Sequence, residues 1–476
     1  MTSGKETDMK KDALSGALRR ALNRRPAVIV QVLLFAVSCA AFYYLAMHAR
    51  YAMIDEFAAY GVERMTRITA TVYGMIFAMS LAVQLRMARR LPLAAQVLAA
   101  VITGAVLLGK ISLLDYLSDD YQIFLSDWIY SYSHMGIKEG LGTYIGSDYT
   151  PPYLYFMLLV SRVGSFPWQY LVKAISIAFE VLMAWALASL AGFCLKGDGA
   201  KLAVFHMSLL LPTVVFNGAY WGQCDVIYTS LCLTALYMGL TKRSARCMIF
   251  YGVALSFKLQ MAFFLPALLP LWLRKDIKLR HLPLIPATYM AMMIPAFWGG
   301  KSLHHVLTVY LVQAGGYSFI TMNGPSLWQL LPEGNGSMFY DMLGGMALLM
   351  GMGVLVAACA LICARREPPT HKSSLLFALL ILGGVPLFLP KMHERYTFGA
   401  DVLSLTVAVQ NPKYAPLPLL YGFASYVCYT AALNGDTLMP LKWATMFQMA
   451  AVALTAAALI SSLRPDPAAQ VMEVKA

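Results

Sequence analysis

Residues 27–47, AVIVQVLLFAVSCAAFYYLAM, run without a charged side chain for the ~20 positions a helix needs to cross a hydrocarbon layer. Similar stretches recur to the end of the chain, and in hydrocarbon a backbone must satisfy its own hydrogen bonds, which a helix does and an open strand does not. Composition points the same way. Charged residues make up only 13% of the 476 positions against about 25% in soluble domains, while 59% are hydrophobic. The expected fold class is therefore all-α, a polytopic bundle of about twelve to fourteen membrane helices.

Lysine and arginine exceed aspartate and glutamate, 37 against 24. A nucleic-acid surface would gather this excess on one stripe with interleaved aromatics; here it sits in short turns between apolar runs, as membrane orientation requires. Lys5, Lys10, Lys11, Arg19, Arg20, Arg24 and Arg25 precede the first run, with no cleavage site after it, so 1–26 is expected to be a cytoplasmic tail before a retained anchor. Alternating from there places Arg86, Arg89 and Arg90 inside, then Lys242, Arg243 and Arg246, then Arg274, Lys275, Lys278 and Arg280, and finally Arg365, Arg366 and Lys372. One membrane domain is expected over 27–464, with outer loops at 114–150 and 299–340 and a second cytoplasmic tail at 465–476. The apolar stretch 151–167 is short for a span, and 247–273 reads as a helical hairpin broken near Lys258. Eight scattered cysteines offer no metal-ligand spacing and no disulfide framework.

The polar motifs fall at one face. Asp119 and Asp120 open a piece in which Tyr121, Phe124, Leu125 and Trp128 recur at three- and four-residue spacing, an amphipathic helix expected to lie in the interface. A carboxylate held there suits a general base that strips a proton from a hydroxyl; a solvated loop would explain the acids equally simply. Tyr149, Thr150, Pro151, Pro152 and Tyr153 combine a rigid diproline with aromatics that either anchor a helix or stack on a sugar. Trp221, Gln223 and Asp225 lie in a Gly-punctuated run, richer in polar groups than helix capping needs. Lys258 sits in an apolar run, where a cation requires an anion or water. Lys173 and Glu180, seven apart on one helix face, are placed to pair with each other. Lys391, His393, Glu394 and Arg395 crowd five positions at an outer boundary, where Lys391 and Arg395, helped by His393, suit a phosphate clamp.

Taken in order, DY-x-x-F-L-x-x-W (Asp120 to Trp128), YTPPYLY (149–155), WGQCD (221–225), FKLQ (257–260) and KMHERY (391–396) resemble the bacterial membrane glycosyltransferases of the GT-C superfamily, in particular mannosyltransferases related to the second GPI mannosyltransferase. The likeness spans roughly residues 115–410. It implies a GT-C bundle and a polyprenyl-phosphate sugar donor, with Asp120 as the general base and Asp119 as its fallback. It implies that the cluster around His393 and Arg395 handles the donor phosphate and that Asp225 and Gln223 face donor sugar or acceptor; the residues themselves add Lys391 and Lys258 as candidates for the phosphate and Trp221, Tyr149, Tyr153 and Glu394 for sugar or acceptor. Two N-terminal helices precede the segment expected to be the family's first.

The expected activity is thus inverting transfer of a hexose, mannose favoured, to a lipid or glycan acceptor at the extracytoplasmic face of the cell membrane. It calls for no metal, no other cofactor and no nucleic-acid partner. The main rival is a transporter or flippase of lipid-linked sugars, which would place ionisable groups near the bilayer midplane rather than at one face.

Overall fold

The computed structural model describes residues 28–49, 61–316, 319–331, 337–365 and 367–463. The two expected cytoplasmic tails, 1–26 and 465–476, lie outside these residues. The described fold is all-α; its one sheet is a two-residue parallel pair, Thr321–Met322 beside Met392–His393.

Among the described residues, seven helices are long and apolar enough to cross a membrane: Val28–Met47, Val62–Met87, Leu93–Ile111, Trp168–Ala191, Asp341–Cys363, His371–Phe388 and Leu441–Ser462. Two bent pairs, Asp198–Leu210 with Pro212–Trp221 at 51° and Leu279–Trp298 with Leu303–Gln313 at 117°, raise the number to at most nine if each pair is one broken span rather than a re-entrant loop. This is fewer than the twelve to fourteen spans expected, for a physical reason. Asp225–Leu240, Ser244–Leu255, Leu259–Leu273 and Phe398–Ala408 are apolar but short, because polar motifs at their ends stop the helix. The stretch 151–167 holds a ten-residue helix, Pro151–Val160, of about 15 Å rise, closed by one tight turn at Ser161–Val163.

Trp168–Ala191 is the central post. It packs on Asp225–Leu240, on Asp198–Leu210 and on Val62–Met87. Buried polar bonds lock its neighbours to one another: Gln84 Nε2 donates to Thr103 Oγ1 at 2.6 Å, and His206 Nε2 lies 3.1 Å from Gln84 Oε1, tying Val62–Met87, Leu93–Ile111 and Asp198–Leu210 together. Large apolar side chains also cover the outside. Val97, Leu98 and Val101 on one helix and Leu348, Leu349 and Val356 on another are all exposed.

The two outer segments are more ordered than loops. Residues 121–133 form a wide turn, Tyr121–Leu125, continuing into the helix Ser126–Ser133. Its buried face is Leu125, Trp128, Ile129 and Tyr132, whereas Phe124 points outward with Ile123, so the expected stripe is rotated. The wide turn causes this by adding a residue to the helical period. Within 299–340, a 13-residue helix, Leu303–Gly315, begins at a Ser302 cap, and Thr321–Met322 then props the KMHERY segment from the side.

Candidate functional site

Each of the five sequence motifs contributes to one polar cluster, and local chemistry explains how. Ser118 accepts from the Tyr121 amide and donates to the Trp221 carbonyl at 3.0 Å, which fixes the start of the wide turn and lifts Asp120 to face the WGQCD run. That run follows another wide turn, Val215–Trp221, ended by Gly222 at φ 83°, a backbone an L side chain adopts only at a cost. The reversal brings the Trp221 indole and the Gln223 amide to the same acceptor. Trp221 Nε1 donates to Asp120 Oδ2 at 3.0 Å, and Gln223 Nε2 donates to the same oxygen. Arg395 Nη1 stands 3.9 Å from it. Among the described residues Oδ1 of Asp120 accepts no bond, and the side chain is 34% exposed. Asp119 is more exposed and does not line the cavity described below.

Behind Asp120 lies a buried charge relay. Lys258 Nζ is 2.6 Å from Asp225 Oδ1, Arg395 Nε is 3.5 Å from Asp225 Oδ2, and Asn217 Nδ2 donates to that oxygen at 3.1 Å. Arg395 Nη1 meets Glu394 Oε1 at 2.5 Å and its guanidinium lies 5.5 Å from the Trp221 ring centroid. Burial opposes ionisation of Glu394, yet Arg395 and then His393 hold its carboxyl down at about 2. Burial also raises the Tyr149 hydroxyl well above its ordinary value. Lys258 sits 5.9 Å over the Tyr149 ring, at the break after Ser244–Leu255 that the sequence anticipates. Thr150 pins that break by donating to the Ser256 carbonyl at 2.6 Å, immediately ahead of the diproline that starts the next helix.

These groups border a cavity of about 170 Å³ lined by Asp120, Tyr149, Tyr153, Gln223, Lys258, His393 and Arg395, with Trp128 and Phe124 at its side. The remaining expected site residues fall elsewhere. Lys391 does not line it: its backbone, at φ 61°, donates to Ile320 and turns the chain into the strand pair. Asp225 is fully buried and bound by two cations and an amide, and Glu394 is 4% exposed, so both hold cations in place rather than reach into the opening. Trp221 is likewise 4% exposed and serves Asp120.

The expected Lys173–Glu180 pair does not form. Glu180 binds Lys110, and Lys173 donates to the carbonyls of Leu113, Leu114 and Tyr116 at 2.7 to 3.0 Å, holding the loop that carries Asp120. Both partners lie far off in sequence, which helix spacing cannot reveal. Gly218 accommodates Glu180, since a Cβ there would stand 2.3 Å from its Oε1.

Two further lining residues had no expected role in the site. Gln313 comes from Leu303–Gly315, in the segment expected to be a loop, and presents a buried Oε1 without a hydrogen bond. Asp148 opens the diproline motif in the sequence, where no role was expected of it, and it too lines the cavity.

No family model matches this chain, and no curated protein is significantly similar to it. The reading of the site therefore rests on its chemistry. It offers a carboxylate anchored on one oxygen and open on the other, cations beside it, and an aromatic wall. Among the described residues no group of three His, Cys, Asp or Glu side chains is placed to hold a metal ion.

Proposed function

We propose that the protein is a multi-pass membrane glycosyltransferase of the GT-C type that moves a hexose, mannose favoured, from a polyprenyl phosphate to a lipid or glycan acceptor. The membrane placement is supported by seven or more span-length apolar helices and by the apolar side chains on their outer faces. The extracytoplasmic side is supported by the basic turns at the opposite ends of the helices.

One observation carries the catalytic reading: Asp120 is held through Oδ2 by Trp221 and Gln223, while Oδ1 accepts no bond among the described residues. In this reading the acceptor hydroxyl oxygen attacks C1 of the sugar, the bond from C1 to the phosphate oxygen breaks, and Oδ1 takes the hydroxyl proton. Attack opposite the leaving group inverts C1. The phosphate departs as an anion, and a preorganised cation beside it lowers the barrier. Arg395 suits this role because Nη1 is bonded to Glu394 and Nε, 3.5 Å from Asp225 Oδ2, has no hydrogen bond of its own among the described residues, so the guanidinium is held in place with donor capacity to spare. Lys258 and His393 line the same opening. Tyr149 and Tyr153 offer the ring faces against which a sugar stacks.

A transporter of lipid-linked sugars is the competing reading. It receives less support, because the charged groups of the cavity cluster at one end of the helices rather than midway along them. Incubating the purified protein with radiolabelled polyprenyl-phospho-mannose, or the glucose counterpart, and a cell-envelope extract separates the two. Label in a new glycosidic product supports the transferase; translocation of intact donor without a new bond favours the rival.

A further inference from the structure

A second concavity, of about 560 Å³, lies at the far end of the helices that build the site. It is bordered by Arg86, Arg89, Arg90, Lys201, Asp198 and Tyr237. The helix Asp225–Leu240 starts at the charge relay and finishes here, roughly 23 Å away along its axis.

The charge balance of this pocket is uneven. Four cationic side chains face one carboxylate, and Asp198 is already 3.8 Å from Lys201. The three arginines are exposed, and none forms an ion pair among the described residues. Helix ends supply part of the compensation. The C-termini of Val62–Met87, Trp168–Ala191 and Asp225–Leu240 meet at the pocket, opposed by the N-terminus of Asp198–Leu210. With about half a charge at each end, they offset roughly one of the three surplus positive charges. About two remain, which one doubly anionic headgroup or two phosphodiester groups would neutralise.

Membrane orientation by itself asks for basic residues in a turn. It does not ask for a cavity with hydroxyls at Ser189 and Thr241 and an apolar wall at Phe193 and Met87. Nor does it ask for Gly192, where a Cβ would crowd the Lys201 stem at 3.1 Å. The pocket combines charge for a headgroup with an apolar flank for what is attached to it.

We propose that this pocket binds a phosphate-bearing anion, the headgroup of an acidic phospholipid in the leaflet opposite the cavity, with the arginine forks on the phosphate oxygens. The proposal rests on the membrane placement and is independent of the transfer reaction.

The test is a titration of the full-length protein, purified in a neutral detergent, followed by native mass spectrometry. Separate arms use phosphatidylglycerol, cardiolipin, phosphatidylcholine and inorganic pyrophosphate. Saturable binding of the acidic lipids, with phosphatidylcholine at least tenfold weaker, is expected. Pyrophosphate binding without lipid binding would keep the anion site and replace its source. The variant R86Q/R89Q/R90Q is expected to lose at least tenfold in affinity. Ser189→Phe fills the pocket with every charge retained and is expected to lose binding too, which covers the case of a charge variant that misfolds or misorients. No saturable binding in any arm, or equal binding by wild type and a folded Ser189→Phe protein, overturns the proposal.

Discussion

Trp221 donates its indole N–H to Oδ2 of Asp120 at 3.0 Å, joining two residues 101 positions apart, and the Gln223 amide donates to the same oxygen. One oxygen is thereby fixed and the other accepts no bond among the described residues, a division of labour that suits a base needing both a fixed position and a free lone pair. It also makes the catalytic proposal easy to test.

Replacing Asp120 by Asn keeps an oxygen for the Trp221 and Gln223 donors but removes the basic site. Initial transfer rates are expected to fall by about 10²- to 10⁴-fold, the usual contribution of a general base. Size-exclusion behaviour and helix content should match wild type. Full transfer by a folded Asp120→Asn protein would remove Asp120 from the mechanism.

Trp221→Phe deletes the indole donor and keeps an aromatic ring beside Arg395, which lies 5.5 Å from the present one. A hydrogen bond to a charged acceptor is worth roughly 1.5–3 kcal/mol, so kcat is expected to drop by about tenfold or more. KM for the donor should change little, since the residue is buried and orients the base. Steady-state kinetics separate these effects, and an unaltered kcat would argue against the orienting role.

Glu394 predicts an acid limb. Its carboxyl is held at about 2 in the fold, below its ordinary value near 4.5. A depressed acid contributes stability that is present above the unfolded pKa and is lost as pH falls towards the folded one. The thermal midpoint should therefore be flat from pH 7 to about 5 and fall below it, with roughly 3 kcal/mol at stake across the window. Glu394→Gln should start lower and fall less steeply over the same range. Parallel curves for the two proteins would refute this assignment.

The Asp225–Lys258 pair is nearly fully enclosed, at 0% and 3% side-chain exposure. Asp225→Asn strands the buried ammonium and is expected to cost about 3–5 kcal/mol, whereas Asp225→Asn combined with Lys258→Met removes both charges and should recover much of the loss. Denaturant or thermal unfolding of the three proteins in one detergent measures the coupling. Additive losses would mean that the two side chains do not share a charge.

Much of this was legible in the sequence, in a particular way. Long apolar runs fix the all-helical class and most of the span-length helices, because hydrophobicity and hydrogen-bond satisfaction act locally and leave their mark on consecutive residues. Breakers are legible for the same reason: Gly222, the diproline at 151–152 and the interruption at Lys258 all sit where the chain turns. The candidate base stands out because an acid beside aromatics at a membrane-length boundary is unusual.

What the tertiary structure alone decided is who faces whom. Lys173 and Glu180 share a helix face, yet each finds its partner on or just after the Leu93–Ile111 helix. Lys391 and Arg395 are four residues apart with equal charge, and only Arg395 lines the cavity, because a short strand pair turns the Lys391 backbone towards Ile320. Asp225 reads as a sugar ligand in its motif and proves to be an internal counterion. Local spacing sets which side of a helix a group occupies; the rotation and neighbours of that helix, set by packing between segments a hundred or more residues apart, choose the partner.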